Sequence, residues 1–169
     1  MSGKIILNNV RLSFNSLFEP EDFDGDENFS YNAKVIIPKD SEADRQLMQA
    51  FEEAAEEAFG KAKYKGILDK ISGDKAQFAY HEYDEGHMVL STKRKAKAGP
   101  PVVVDRDRTR LTKDDNKIYA GCYVNLAVRP WAMQGKGKHW VRAALEGCQF
   151  VEDGEAFGQR TTPDDFPDL

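Results

Sequence analysis

The longest regular pattern of apolar and polar positions runs through residues 118–131. One side of the alternation consists of Ile118, Ala120, Cys122, Val124, Leu126 and Val128. A period of two predicts a β-strand with one buried face. The other side carries Tyr119, Tyr123, Arg129 and Trp131, with small residues and an asparagine between them. The pattern therefore predicts a strand whose second face presents three aromatic rings and a guanidinium.

Two interpretations of that second face stay open. Every nucleobase has a π face, so open rings beside an arginine suit the stacking of unpaired bases and a contact to phosphate. A strand buried on both faces, with its tyrosines and tryptophan in the core, explains the same pattern equally well.

Shorter patterns predict the rest of the fold. Strands are expected at residues 5–14, 31–37, 87–92 and 139–151, with a short apolar run at 102–104, and residues 68–85 receive no assignment. Residues 41–59 predict a helix, capped by Asp40 or Ser41, with an apolar stripe of Leu47, Phe51, Ala54, Ala55, Ala58 and Phe59. Several short strands and one inserted helix predict a β-rich, α+β domain: a single oligonucleotide-binding-like antiparallel barrel over residues 1–151.

The net charge of −5 is concentrated at one end of the chain. Residues 152–169 hold six acidic side chains and one basic one, so the 151 residues before them are neutral. This segment has few core residues, and we expect a flexible, disordered acidic tail there. No apolar run approaches the length that crosses a membrane, so no membrane partner is expected.

Basic residues cluster within the neutral body. Lys93, Arg94, Lys95 and Lys97 fall in a predicted loop at 93–100, and Lys136 and Lys138 fall in a glycine-rich turn between the last two strands. Trp131 and Trp140 flank that turn at similar distances, so they are candidates for a stacking clamp or for an ordinary cross-strand pair. A basic side with a detached acidic tail favours a polyanionic partner.

Enzyme motifs are weak or absent. Residues 135–138 lack the spacing and the following helix of a phosphate loop, and residues 22–26 lack the distant glutamate of a calcium loop. The three histidines form no catalytic set. Cys122 and Cys148 fit no zinc motif, and a reducing environment is expected. We expect no enzyme, cofactor or metal, although a two-carboxylate nuclease site could lie among the 29 acids.

Several segments together resemble a family of single-stranded-DNA-binding proteins from tailed phages, long catalogued as a domain of unknown function. The resemblance covers nearly the whole chain and is most specific at residues 118–125. Its segments are VRLSF followed by LFEP at 10–20, VIIPK at 35–39, IYAGCYVN at 118–125 and AALEGCQ at 143–149 with DGE at 153–155. It implies an oligonucleotide-binding barrel that coats single-stranded DNA during phage replication or recombination, in the cytoplasm of an infected bacterium.

The end of the tail is similar to the acidic tip of bacterial single-stranded-DNA-binding proteins. The residues concerned are Asp164, Asp165, Phe166, Asp168 and Leu169. That tip ends in proline and phenylalanine, whereas here Phe166 precedes Pro167 and Leu169 is last. The tail is therefore a candidate for recruiting replication or recombination proteins and for competing with DNA.

The sequence thus leads to one hypothesis and two alternatives. In the first, the chain binds single-stranded DNA by stacking bases on Tyr119, Tyr123, Trp131 and Trp140, and by holding phosphates with the arginines and lysines named above. The alternatives are a replication or recombination adaptor whose main ligand is a protein, and, less favoured, a metal-dependent nuclease.

Overall fold

Seven strands and two α-helices make up the described part of the chain. The computed structural model describes residues 3–22, 28–157 and 166–169. In chain order the elements are β1 (Ile5–Glu21), β2 (Ser30–Pro38), α1 (Glu42–Phe59), α2 (Tyr64–Ile71), β3 (Tyr80–Asp84), β4 (His87–Lys95), β5 (Val102–Val104), β6 (Tyr123–Gly135) and β7 (Lys138–Glu152). No helix among these residues is both long and apolar enough to cross a membrane.

The strands form one sheet that closes on itself. Its order is β3-β4-β2-β1-β6-β7-β5, and β4 also meets β7 where Lys93 lies beside Ala144. The ring β1-β2-β4-β7-β6 is therefore a five-stranded barrel, partly open because that last contact is short and parallel. This is the strand arrangement of an oligonucleotide-binding barrel. The predicted fold class is confirmed, with a parallel closure that the antiparallel prediction did not contain.

Alternating side chains of the ring fill the core. Fully buried positions include Leu7, Val10, Leu12, Val35, Ile37, Leu90, Val124, Leu126, Val128 and Leu145. The helix α1 packs mainly against β6 and inserts Phe51, whose ring meets Phe78 edge-on at 5.2 Å between centroids. Truncating a buried phenylalanine of this kind costs about 3–5 kcal/mol, so Phe51 is a main support of the barrel.

The predicted helix is confirmed in position and in its buried face. Ser41 is the N-cap, and its hydroxyl accepts a hydrogen bond from the Asp44 amide at 3.2 Å. The helix ends at Phe59 because Gly60 adopts a φ of 96°, a conformation that favours glycine. All the stripe residues are buried except Ala58, which is half-buried.

The prediction of a single inserted helix is wrong, because α2 is a second one. It has eight residues and buries only Leu68 and Ile71. Two buried positions are too few to show a helical period in the sequence. Its second half lies in the stretch 68–85 that received no assignment, as does β3.

Four predicted strand boundaries differ by three residues or more, among them the end of β6, which lies at Gly135 rather than at residue 131. The predicted strand at 118–131 begins at Tyr123, because Gly121 has a φ of 117° and turns the chain before it. β1 continues past residue 14 to Glu21 through irregular pairings, and β4 continues to Lys95. The predicted loop 93–100 is consequently shorter, and its first three basic residues are strand residues.

Candidate nucleic-acid interface

The outer surface of β2 and β4 presents a row of polar and cationic side chains. Because paired residues share a face, the pairs Ser30–Lys95, Asn32–Lys93 and Lys34–Ser91 lie side by side. We call the set Asn32, Lys34, Ser91, Lys93 and Lys95 the lysine face. These strands correspond to the second and third strands of an oligonucleotide-binding barrel, whose outer surface is the usual ligand face of that fold.

A groove of about 220 Å³ adjoins the lysine face on β2 and β4 and extends over β1 to β6. It is called the Tyr123 groove here and is lined by Asn9, Arg11, Ile36, Pro38, Tyr83, Asp84, His87, Tyr123 and Phe157. The sheet register explains the assembly, because Arg11 lies between Tyr123 of β6 and Ile36 of β2. The groove thus combines aromatic walls with a cation at its floor.

Arg11 is fixed at the floor by several contacts. Its guanidinium donates to the Gly121 carbonyl at 3.3 Å and to the Glu155 carbonyl at 2.6 Å. The guanidinium carbon lies 4.1 Å from the centroid of the Phe157 ring and 6.0 Å from that of Tyr123. A guanidinium flanked by two rings is a stacked cation–π arrangement, and a planar base has the shape to take the place of either neighbour.

Tyr119 holds the chain that follows β7 against the barrel. Its hydroxyl hydrogen is shared between an Asp153 carboxylate oxygen at 2.9 Å and the Gly154 carbonyl oxygen at 3.0 Å, and its oxygen accepts a hydrogen bond from the Gly154 amide at 3.0 Å. Partial burial and the bond to Asp153 raise the pKa of Tyr119. Its ring packs against the core rather than extending the open face of β6. The residue therefore anchors residues 153–157 and does not share a strand with Tyr123.

Two facing glycines allow this close approach. A Cβ on Gly121 would collide with the Glu155 carbonyl oxygen, and one on Gly154 would collide with the Gly121 carbonyl oxygen. The Phe157 amide also donates to the Ala120 carbonyl at 3.0 Å. Residues 153–157 consequently lie on the barrel, inside the stretch predicted as the start of the tail; the predicted domain boundary itself stays a prediction.

Lys93, Lys95 and Lys97 meet at the other end of the lysine face. They line a cleft with Asn28, Phe29 and Ala96, which we call the Phe29 cleft. The side chain of Phe29 is 49% exposed although it is aromatic. An exposed ring among three ammonium groups is a second place where a base and its phosphates can be held.

Arg94 turns away from these lysines. Its guanidinium donates to the carbonyls of Gly99 at 2.8 Å and Ala98 at 2.9 Å, and it pairs with Glu146 at 3.5 Å. Neighbouring strand residues point to opposite faces, so the run that was predicted to be one basic loop is divided. Arg94 mainly holds the turn at 96–99.

The remaining predicted residues lie along the outer face of β6 and its hairpin with β7. Arg129 is exposed and pairs with Glu146 at 3.3 Å. Trp131 is 38% exposed and lies opposite Arg142, whereas Trp140 lies opposite Met133. The two tryptophans are therefore diagonal neighbours rather than directly opposed. Lys136 and Lys138 are exposed at the tip.

Some of the predicted residues lie outside the part of the chain that the structure describes. Phe166, Asp168 and Leu169 of the tail are exposed, while Asp164 and Asp165 lie outside the described residues. Residues 23–26 of the calcium-like stretch 22–26 also lie outside them. Within the described residues, no three His, Cys, Asp or Glu side chains are grouped as a metal site.

Several residues of the candidate interface were not predicted from the sequence. Arg11, Phe29, Lys34, Tyr83 and Phe157 were not among the candidates. The alternation of the predicted strand 5–14 places Arg11 on the outward face, so this orientation could be predicted from the sequence. The residues that Arg11 contacts could not. Phe157 was assigned to a featureless tail, and only its tertiary contacts identify it.

Comparison with known proteins connects this site to a family. The family model of the Enterobacter phage Enc34 ssDNA-binding protein matches residues 3–168. A putative protein p50 of Acyrthosiphon pisum secondary endosymbiont phage 1 is 35% identical over 176 residues, which is 98% of this chain and 94% of that protein.

Solved structures agree on the fold. The single-stranded DNA-binding protein of bacteriophage Enc34 in complex with ssDNA has a TM-score of 0.74 and 23% identity, covering 92% of this chain and 90% of that one. Gp2.5, the single-stranded DNA binding protein of bacteriophage T7, has a TM-score of 0.66 and 15% identity, covering 98% and 93%. Because the family model matches almost the full length of the chain, the chain belongs to the family of the Enterobacter phage Enc34 ssDNA-binding protein.

Proposed function

We propose that this chain binds single-stranded DNA without sequence preference and coats it during phage replication or recombination. The observation that carries the proposal is the junction of the Tyr123 groove with the lysine face on the ligand face of the barrel. Rings for stacking and cations for phosphates are both needed, and here they share one surface.

Base stacking is assigned first to Tyr123 and to the exposed ring of Phe29, which lie at the two ends of that surface. Tyr123 is half-buried and fixed by its strand, so a base stacking on it orders little additional chain. Trp131 and Trp140 on the hairpin extend the stacking surface beyond the groove. Tyr119 acts through its hold on residues 153–157.

Phosphate neutralisation is assigned to Lys93, Lys95 and Lys97 around the Phe29 cleft, and to Lys136 and Lys138 at the hairpin tip. Arg129 and Arg94 are secondary because both share Glu146. Ammonium groups suit sequence-independent binding, since they contact the phosphate backbone without reading base edges. No catalytic role is proposed for any of these residues.

The acidic tail is proposed to compete with DNA and to recruit protein partners. Residues 158–169 hold three acids and one base, and Phe166 and Leu169 are exposed apolar groups among those acids. A tethered anion reaches a high effective concentration near a basic face. When DNA displaces the tail, its apolar tip becomes available to replication or recombination proteins in the host cytoplasm.

The test is a titration of the full chain with fluorescently labelled oligothymidylate and with a duplex of equal length. Preferred binding of the single strand is expected, with affinity falling as salt rises. Incubation of both DNAs with Mg²⁺ and analysis on a denaturing gel tests for a nuclease. Negligible binding of either DNA by folded protein would favour the adaptor alternative, and strand cleavage would favour the nuclease.

A further inference from the structure

His81 has an unsatisfied ring nitrogen. It lies in β3 beside Val89 of β4, and its Nδ1 is the single side-chain nitrogen or oxygen, among the described residues, that is buried without a hydrogen-bond partner. Buried polar atoms nearly always have partners, so such an exception requires an explanation. The ring itself is half-buried, which leaves Nε2 as the nitrogen able to bond a molecule outside the protein.

The charges around His81 are positive. Burial lowers the pKa of His81, and so do the ammonium groups of Lys75 and Lys34. Within the described residues, neither lysine has a carboxylate at ion-pair distance, and the neighbouring Glu82 is paired with Lys39 at 3.1 Å. The guanidinium of Arg142 donates to the Lys75 carbonyl at 3.2 Å and so lies beside Lys75. Converging cations of this kind form a local field that favours an anion.

The position of this cluster relates it to the Tyr123 groove. Val89 separates His81 from Ile36, which lines the groove, and the adjacent row of the sheet contains Lys34. The ammonium nitrogen of Lys34 also lies 5.8 Å from the centroid of the Phe14 ring on β1. A strand whose bases lie in the groove would therefore carry its backbone past these residues.

We propose that His81, Lys34 and Lys75 form a subsite for one phosphodiester group of the bound strand. His81 donates its Nε2 hydrogen to a phosphate oxygen, and the two lysines neutralise the charge. The ring acts as a neutral donor, because a proton on Nδ1 would be buried without an acceptor. This inference rests on the proposed binding of single-stranded DNA and adds a contact that the sequence did not indicate.

The proposal separates hydrogen bonding from charge, which gives it a specific test. Affinity for an oligothymidylate of about 16 nucleotides is measured at several salt concentrations and at pH 8. The double variant Lys34→Ala/Lys75→Ala should lower the slope of log affinity against log salt by about 0.7, as expected for the loss of one neutralised phosphate of a single strand, and each single variant should lower it by less. Lys63→Ala, at an exposed lysine beside α2, serves as the control and should leave the slope unchanged.

The histidine variants should behave differently. His81→Leu should weaken binding about tenfold, the low end for a hydrogen bond to a charged group, without changing the slope. His81→Gln places an amide donor near the Nε2 position and should restore most of the affinity. In nitrogen-resolved NMR of the full chain, the His81 ring should also titrate at higher pH when the oligonucleotide is bound, because an adjacent phosphate favours the charged ring.

The outcomes distinguish this subsite from the wider proposal. If the parent binds DNA and Tyr123→Ala weakens it, but His81→Leu binds like the parent and the ring titration does not move, the subsite is refuted and the DNA-binding function stands. If the folded parent binds no oligonucleotide, both fail. Should His81→Leu unfold, the Gln variant and the ring titration still decide the question.

Discussion

Two surfaces of the molecule carry similar residues in different settings. The Tyr123 groove and the lysine face combine two tyrosines, a phenylalanine and lysines on the barrel wall. The β6–β7 hairpin combines Trp131, Trp140, Lys136 and Lys138 beyond it. In the groove, Arg11 is held by two carbonyls and two rings. At the hairpin tip, Lys136 sits in a turn with a φ of 51° and its side chain is exposed.

That difference is one of preorganisation. A side chain already fixed by its neighbours loses little conformational entropy when a ligand binds, whereas an exposed lysine loses up to about 2 kcal/mol of rotamer freedom if it is immobilised. Residue type alone therefore does not rank the two binding surfaces. We expect the groove to provide most of the affinity and the hairpin to provide a smaller, extending contribution.

The largest expected loss of DNA affinity comes from removing a stacking ring, and its size should differ between the two surfaces. Tyr123→Ala should weaken binding of single strands by about 1–3 kcal/mol, the usual value of one stacked base. Trp131→Ala should cost less, because its ring projects from a hairpin. Anisotropy titrations with labelled oligothymidylate measure both, and Tyr123→Phe, which keeps the ring, is the matched control. A larger loss for Trp131→Ala than for Tyr123→Ala would reverse the ranking.

The second prediction compares two pairs of lysines with equal charge. The double variant Lys93→Ala/Lys95→Ala should lower the salt slope of binding by about 1.4, if each lysine neutralises one phosphate. The double variant Lys136→Ala/Lys138→Ala should lower it by less. Both remove two positive charges, so the difference reports position rather than net charge. Equal slopes for the two variants would show that the protein acts only through its overall field.

The same contrast explains what the sequence could predict. The alternation over residues 118–131 correctly assigned the faces of β6 from Tyr123 onward, because each inward side chain meets the core. The cap at Ser41 and the stripe of α1 were equally local signals. Family membership was also recognisable, since short segments distributed over the whole chain resembled the phage family.

The rest depended on contacts between distant segments. The strand predicted from residue 118 begins five residues later, because the backbone of residues 155–156 crosses at Gly121. Nothing local to residues 118–122 indicates that crossing. Likewise, the barrel brings Arg11, Tyr123 and Phe157 together from three separated segments. Periodicity identifies the outward face of each strand but does not say which faces combine into one groove.

Arg94 provides the third prediction, because it lies between two lysines of the interface yet faces away from them. Arg94→Ala should lower the free energy of unfolding by about 1 kcal/mol, since its bonds to Gly99 and Ala98 hold the turn. The salt slope of DNA binding should change less than for Lys95→Ala. Urea denaturation and salt titrations measure the two effects. Unchanged stability together with a reduced salt slope would show that Arg94 contacts phosphate and does not hold the turn.

The smallest expected effect concerns the tail, and the structure determines where to cut it. Truncation after residue 151 would remove residues 153–157, whose contacts with Tyr119 and Arg11 belong to the barrel wall. Truncation after Phe157 removes only residues 158–169, with three acids and one base. That segment spans up to about 40 Å when extended, far enough to reach along the barrel surface.

Truncation after Phe157 should tighten binding of single strands a few-fold at low salt, because a tethered anion no longer competes for the cations. The advantage should vanish near physiological salt, where the Debye length falls to about 8 Å. Replacing Asp164, Asp165 and Asp168 by Asn should reproduce the gain. Replacing Phe166 and Leu169 by Ser should leave DNA affinity unchanged, because those side chains carry no charge. If the truncated and full chains bind equally at low salt, the tail does not compete, and the groove alone sets the affinity.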